Sequence, residues 1–199
     1  MESHDQQLLA SLELDEELKE FVVEALAEDE FRSVSEYLRW LIQRERRNRI
    51  RENVECLICQ GLESGPAVPV TAEYWAEILP GFVAKDSAND CGDGWPVSCR
   101  PIVAQDLMTL VAEVAPNNEI AAKRFLQSVV RTVSAIGRKP SGGFIMSGFK
   151  PQGLSMCPVG RSIARVAYLA SVKSGVDVVR ILHRDTHQVL KKHIDSSGD

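Results

Sequence analysis

Apolar positions change their spacing several times along the first half of the chain, and each change predicts a new element. In residues 7–14, Leu8, Ala10, Leu12 and Leu14 alternate with Gln7, Leu9, Ser11 and Glu13, the period-two pattern of a short strand. Asp15 then stands where a helix N-cap belongs, and Leu18, Phe21, Val22, Ala25 and Leu26 follow at helical spacing. Ser33 and Glu36 form an S-x-x-E capping box for a second helix with Val34, Tyr37, Leu38, Leu41 and Ile42 on its inner face. Ile50, Val54, Leu57, Ile58 and Leu62 extend that helical pattern. A lone strand leaves its backbone groups unpaired, and so short a unit cannot enclose a core without help. A second copy supplies both needs: two strands pair antiparallel, backed by four helices, as in a ribbon-helix-helix dimer.

In the second half, residues 97–100 read as a short strand. Leu107, Leu110, Val111 and Val114 form a helical stripe ending before Pro116, and Asn117 or Asn118 caps a helix carrying Ala122, Phe125, Leu126, Val129, Val133 and Ile136. After the breaker-rich stretch 137–153, residues 154–159, 163–172 and 176–183 are three strands, the last two joined by Lys173-Ser174-Gly175. Asp185 is placed to cap a last short helix through Val189 and Leu190, with Lys191 and Lys192 at its end. Residues 79–96, with Pro80, Gly81, Gly92, Gly94 and four Asp or Asn, show no periodicity and read as a linker. The expected class is α+β.

Charge sharpens the division. Of the 28 acidic and 23 basic side chains, residues 1–100 carry a net −11 and residues 101–199 a net +6, so the simplest partner of each half is the other. Five cysteines in a chain whose start is acidic, with no apolar run long enough for a membrane span, lead to an expectation of reduced thiols and a cytoplasmic location. Cys56-x-x-Cys59 could be joined with Cys91 and Cys99 into a four-thiolate zinc site, but a zinc ribbon places its second pair in a tighter turn. No metal and no cofactor is expected.

Three pieces of the first half resemble the ParD family of type II antitoxins: residues 12–18 (L-E-L-D-E-E-L), residues 33–37 (S-V-S-E-Y), and G-L-E-S-G-P at 61–66 joined to T-A-E-Y-W at 71–75. The resemblance covers residues 8–78. It implies a ribbon-helix-helix antitoxin that dimerises through its strand and binds operator DNA to regulate transcription, followed by an extended helical tail that wraps the toxin. The resemblance makes Tyr74, Trp75 and Ile78 toxin-facing anchors on a short helix capped by Thr71. For DNA, the strand would present Gln7, Leu9 and Ser11 to the major groove, and the helix amino terminus near Ser33 and Ser35 would hold a phosphate. That strand face carries no Lys or Arg, so a dimerisation module without DNA contacts competes with this reading. Arg44, Arg46, Arg47, Arg49 and Arg51 read first as a solvated helix face and second as a nucleic-acid patch.

The order strand, two helices, three strands, short helix is that of the RelE/ParE toxin superfamily. Residues 97–193 resemble ParE in Arg100-Pro101 with Asp106-Leu107, A-A-K-R-F-L at 121–126, Gly153-Leu154, Cys157-Pro158-Val159, and V-R-I-L-H at 179–183. The resemblance implies a helical hairpin packed on a small antiparallel sheet. It divides the chain into an antitoxin (1–78), a linker (79–96) and a toxin domain (97–199) derived from a poison of DNA gyrase, of the kind found in plasmid stabilization systems. The expected protein is a toxin-antitoxin fusion, self-neutralised by contact within the chain or with its dimer mate. Two alternatives stand beside it. One is a RelE-type ribosome-dependent mRNA endonuclease, whose catalytic candidates are Arg161, Arg165, Tyr168, Arg180 and His183. Arg180 and His183 are three apart on a strand and so point to opposite faces, which weakens that alternative. The other is a decayed fusion that only binds DNA as a repressor, motivated by the loss of aromatic and arginine character in Val166-Ala167-Tyr168-Leu169-Ala170.

Overall fold

The structure, a computed structural model, describes residue 7 and residues 12–28, 31–79, 94–116, 118–161 and 164–183. The chain divides into two compact units, Met1–Arg49 and Ile50–Asp199, and the class is α+β, with five helices and a six-stranded mixed sheet among the described residues.

In the first unit, the Leu18 amide donates to Asp15 Oδ1 at 2.9 Å and opens α1, Glu16–Glu28. Ser33 caps α2, Val34–Glu63: the Glu36 amide donates to Ser33 Oγ at 3.2 Å. The return bond of the capping box is displaced by one residue, since the Glu36 carboxylate accepts from the Arg32 amide at 3.0 Å. Val22, Val34 and Tyr37 form a small buried cluster with Leu14, Ala25, Leu26, Phe31, Leu38, Trp40 and Leu41 around it. The expected inner faces are only partly covered: Leu18, Phe21 and Ile42 are 48%, 59% and 70% exposed. The strand expected over residues 7–14 is not seen where the stretch is described. Gln7 is helical, Leu12 and Glu13 form a turn, and Leu14 is irregular. An alternating pattern of this length specifies a strand only when a partner strand supplies the ladder. Leu8, Leu9, Ala10 and Ser11 lie outside the described residues.

The α2 helix runs for 30 residues because nothing in residues 34–60 is glycine or proline. It ends where Gly65, at φ 132°, and Pro66 stop it. Its carboxy-terminal part belongs to the second unit, followed by β1 (Val68–Pro69), α3 (Ala72–Ile78), β2 (Val97–Cys99), α4 (Ile102–Val114), α5 (Glu119–Arg138), a 3-10 turn at Pro140–Gly142, β3 (Phe144–Ile145), β4 (Ser155–Pro158), β5 (Ala164–Ser171) and β6 (Gly175–His183). The sheet order is β1-β2-β6-β5-β4-β3. The three expected strands form an antiparallel meander. The sheet is larger and mixed, however: β2 runs parallel to β6, β1 adds antiparallel to β2, and β3 adds to β4. Strands of two residues carry too little periodicity to be read from sequence.

Two apolar clusters cover the two faces. One joins the α4–α5 hairpin and α3 to Val166, Tyr168, Val176, Val178 and Ile181. The other joins Val54 and Ile58 of α2 to Met146, Phe149, Leu154, Met156, Ala167, Val179 and Leu182. A bulge in the β5–β6 pairing at Ala167/Tyr168 leaves Val179 extra on β6. Val179 and Arg180 therefore fall on the same side of β6, so that Val178 and Ile181 face one cluster and Val179 and Leu182 the other. The boundary at residue 78, drawn from family resemblance, falls inside this second unit. Residues 80–93 of the linker and the helix expected after Asp185 lie outside the described residues.

Candidate interface between the tail segment and the sheet

Residues 50–79 are built into the sheet of residues 94–183 at one edge and on both faces. At the edge, β1 extends the ladder, and the Val70 amide donates to the Val97 carbonyl at 2.8 Å. Thr71 then caps α3, its hydroxyl accepting from the Tyr74 amide at 3.2 Å, which fixes where the helix starts and which residues turn inward. Trp75, 1% exposed, is among the largest fully buried side chains. Tyr74 and Ile78 pack against the same cluster, and Leu79 is buried in it. The three residues expected as anchors thus share one apolar core with the α4–α5 hairpin.

This anchor is not fully satisfied in its polar groups. The Trp75 Nε1 and the Tyr74 hydroxyl are buried without a hydrogen-bond partner among the oxygen and nitrogen atoms of the described residues. The Tyr74 hydroxyl instead lies by the thiol of buried Cys99. Burial pushes the Tyr74 hydroxyl up, helped by Cys99, and burial pushes the Cys99 thiol up to about 12.

On the opposite face, α2 lies against β6 at Gly61, where an added Cβ would come within 2.6 Å of the Val179 carbonyl oxygen and the Val179 side chain. Two arginines fasten this helix. Arg100 donates through Nε and Nη2 to the Asp177 carboxylate, the shortest contact being 2.7 Å, and through Nη1 to the Leu62 and Gly65 carbonyls at 3.1 and 2.9 Å. Arg180 donates to both oxygens of Asp106 at 2.9 and 2.8 Å, and to the Leu57 carbonyl at 3.2 Å. The Ile181 amide also donates to Asp106 at 2.9 Å. The last four carbonyls of a helix lack intrahelical partners and carry partial negative charge, so the Arg100 guanidinium at Leu62 is a suitable stop for this one. Asp106 and Arg180 are each 8% exposed. Burial pushes the Asp106 carboxyl above its ordinary range, opposed by the Arg180 and Ile181 hydrogen bonds.

The expected catalytic set is not gathered. Val166, Tyr168 and Ala164 belong to the hairpin face, and the pairing of Ala164 with His183 puts His183 on that face too. Ala167 belongs to the α2 face and pairs with Arg180, and Arg165 shares its parity. Tyr168 donates its hydroxyl proton to the Pro140 carbonyl at 2.6 Å. Arg165 donates to the Ala164 carbonyl at 3.3 Å, Arg161 is exposed in a turn, and His183 lies 3.4 Å from Glu113. Arg180 and His183 do line a common cleft of about 340 Å³ with Gln60, Asp106 and Glu113. Arg180 enters it already committed to Asp106 and Leu57.

Of the expected DNA contacts, Ser33 is occupied as a cap, Ser35 and Gln7 are exposed, and Leu9 and Ser11 lie outside the described residues. Among the described residues no three His, Cys, Asp or Glu side chains are grouped to hold a metal ion, and no helix is long and apolar enough to cross a membrane. Of the clamp residues, sequence reasoning noted Arg100 and Asp106 only as family matches and passed over Asp177. Asp177, a lone acid in the apolar run V-D-V-V, was the readable signal, because a carboxylate there requires a cationic partner. No protein-family model matches the chain, and no curated protein matches it.

Proposed function

We propose that the chain is an antitoxin and a toxin of the ParD–ParE type fused in one polypeptide, the antitoxin's tail holding its own toxin domain inactive. Support comes first from one observation: the tail segment supplies Trp75 to the core of residues 94–183. A tail that merely rested on the sheet would leave such a side chain partly wet. Residue-level resemblance supports the two family halves, a ribbon-helix-helix fold for the first, a RelE/ParE-type domain for the second, and descent of the latter from a gyrase poison. Operator binding and dimerisation through residues 7–14 belong to the same reading. The acidic first half and its lack of basic residues on that stretch make the DNA contact weak and strongly dependent on salt.

The endonuclease reading has less support, because Arg180, although it lines a cleft with His183, is committed to Asp106 and the Leu57 carbonyl, and Tyr168 donates its hydroxyl to the Pro140 carbonyl. The test is growth of cells expressing the full chain beside Tyr74→Ala/Trp75→Ala. The parent is expected to be harmless, and the variant to arrest growth with DNA damage or, failing that, to aggregate. A variant indistinguishable in growth and solubility would remove the tail from the inhibitory role. Ribosome-dependent mRNA cleavage by the variant would favour the endonuclease.

A further inference from the structure

The solvent face of α2 in the second unit carries two thiols that neither the fold nor the proposed neutralisation uses. Val54 and Ile58 turn fully inward, which fixes the rotation of this part of the helix. Glu52, Cys56, Cys59 and Glu63 consequently line one outward stripe, and all four are exposed. Cysteine is among the residue types most often buried, so two exposed cysteines one turn apart on a rigid helix are unusual. Both are free thiols. The Gln60 amide donates to Cys56 Sγ at 3.5 Å.

We propose that Cys56 and Cys59 form a two-coordinate site for a soft monovalent cation, Cu(I). Helix geometry sets Cβ atoms three residues apart at about 5–6 Å, so the sulfurs can face one another across a single ion without movement of the backbone. Ligand number selects the metal. Zinc takes four ligands in structural sites, and no group of three His, Cys, Asp or Glu among the described residues is assembled for it. Two thiolates alone suit a soft ion. Binding is a ligand exchange without redox change: each thiol gives up one proton as its S–Cu bond forms, copper stays Cu(I), and two protons leave to solvent. The resulting anionic bis-thiolate carries one negative charge. Glu52 and Glu63 flank the pair one turn away on each side and raise the local concentration of a cation approaching it.

The proposal is independent of the antitoxin–toxin reading and is tested on the full chain without any toxicity assay. Under anaerobic, reducing conditions the chain is titrated with Cu(I) against a coloured Cu(I) chelator. One Cu(I) per chain should be withdrawn from the chelator, with the ultraviolet absorption of a copper thiolate. Cys56→Ser and Cys59→Ser should each abolish this, and their circular dichroism should match the parent because both side chains are exposed. Cys91→Ser and Cys157→Ser should bind as the parent does. A chain that leaves all Cu(I) with the chelator, a Cys56→Ser or Cys59→Ser variant that still withdraws it, or loss in Cys91→Ser would overturn the proposal. Retention of one Zn(II) against a zinc indicator would equally overturn it, since that requires ligands beyond the pair.

Discussion

Two buried polar pairs dominate at the scale of the residue, and they differ in how they respond to change. Asp106 and Arg180 satisfy each other and two backbone groups. Removing one partner leaves a charge in the interior, which costs about 3–5 kcal/mol, whereas replacing both by apolar residues is often neutral. Asp106→Ala should therefore lower the urea midpoint far more than Asp106→Leu/Arg180→Met, and equal losses would show that the ion pair itself carries stability. Cys99 beside Tyr74 responds to pH. With the thiol's ordinary value of 9.0 raised to about 12 in the fold, the unfolded chain loses this proton first. Its contribution is complete below about pH 9 and is lost as pH rises towards 12. Tyr74, also raised, acts in the same direction. Urea midpoints should fall between pH 9 and 11, and less steeply in Cys99→Ala; a midpoint unchanged over that range would contradict the burial of both groups. Of these four residues, only Tyr74 was expected as an anchor, a role implied by the ParD resemblance and fitting an aromatic on a tail with little core of its own.

Helices and meander strands were legible where periodicity ran for several turns or residues. Asp15, Ser33, Thr71 and Asn118 all act as caps, because a cap is a local contest between a side chain and nearby amides. What escaped was non-local. The addition of β1 to β2 and the parallel pairing of β2 with β6 depend on contacts that no spacing encodes. The close seat of α2 on β6 hangs on Gly61, a residue read only as part of a family match. That seat supplies a prediction for the element. Gly61→Ala raises intrinsic helix propensity by about 1 kcal/mol, yet its Cβ would meet the Val179 carbonyl. Crowding of that kind costs about 1–3 kcal/mol, so the variant should be destabilised in calorimetry although an exposed glycine-to-alanine change in a helix would stabilise. A raised Tm would mean that α2 does not lie this close to β6.

For the whole molecule, the question is whether residues 50–79 are held by contacts or only by the chain that continues from them. Leu79 and Gly94 are both placed within the second unit, and residues 80–93 join them. A protease site inserted in those residues separates the tail from the sheet covalently while leaving Val54, Ile58, Trp75 and the two arginine clamps untouched. A covalent tether acts as an effective concentration in the millimolar range, and cleavage removes only that. If the buried contacts suffice, the two fragments should elute together in gel filtration at micromolar concentration. Trp75→Ala discards an entire buried indole, which costs about 3–5 kcal/mol and so weakens association by about two to three and a half powers of ten at about 1.4 kcal/mol each. The cleaved variant should come apart on dilution while the uncleaved variant, still tethered, keeps its fragments in one particle. Separation of the cleaved parent at micromolar concentration would show that the tether, not the interface, holds the tail in place, and would leave Trp75 without the anchoring role its burial implies.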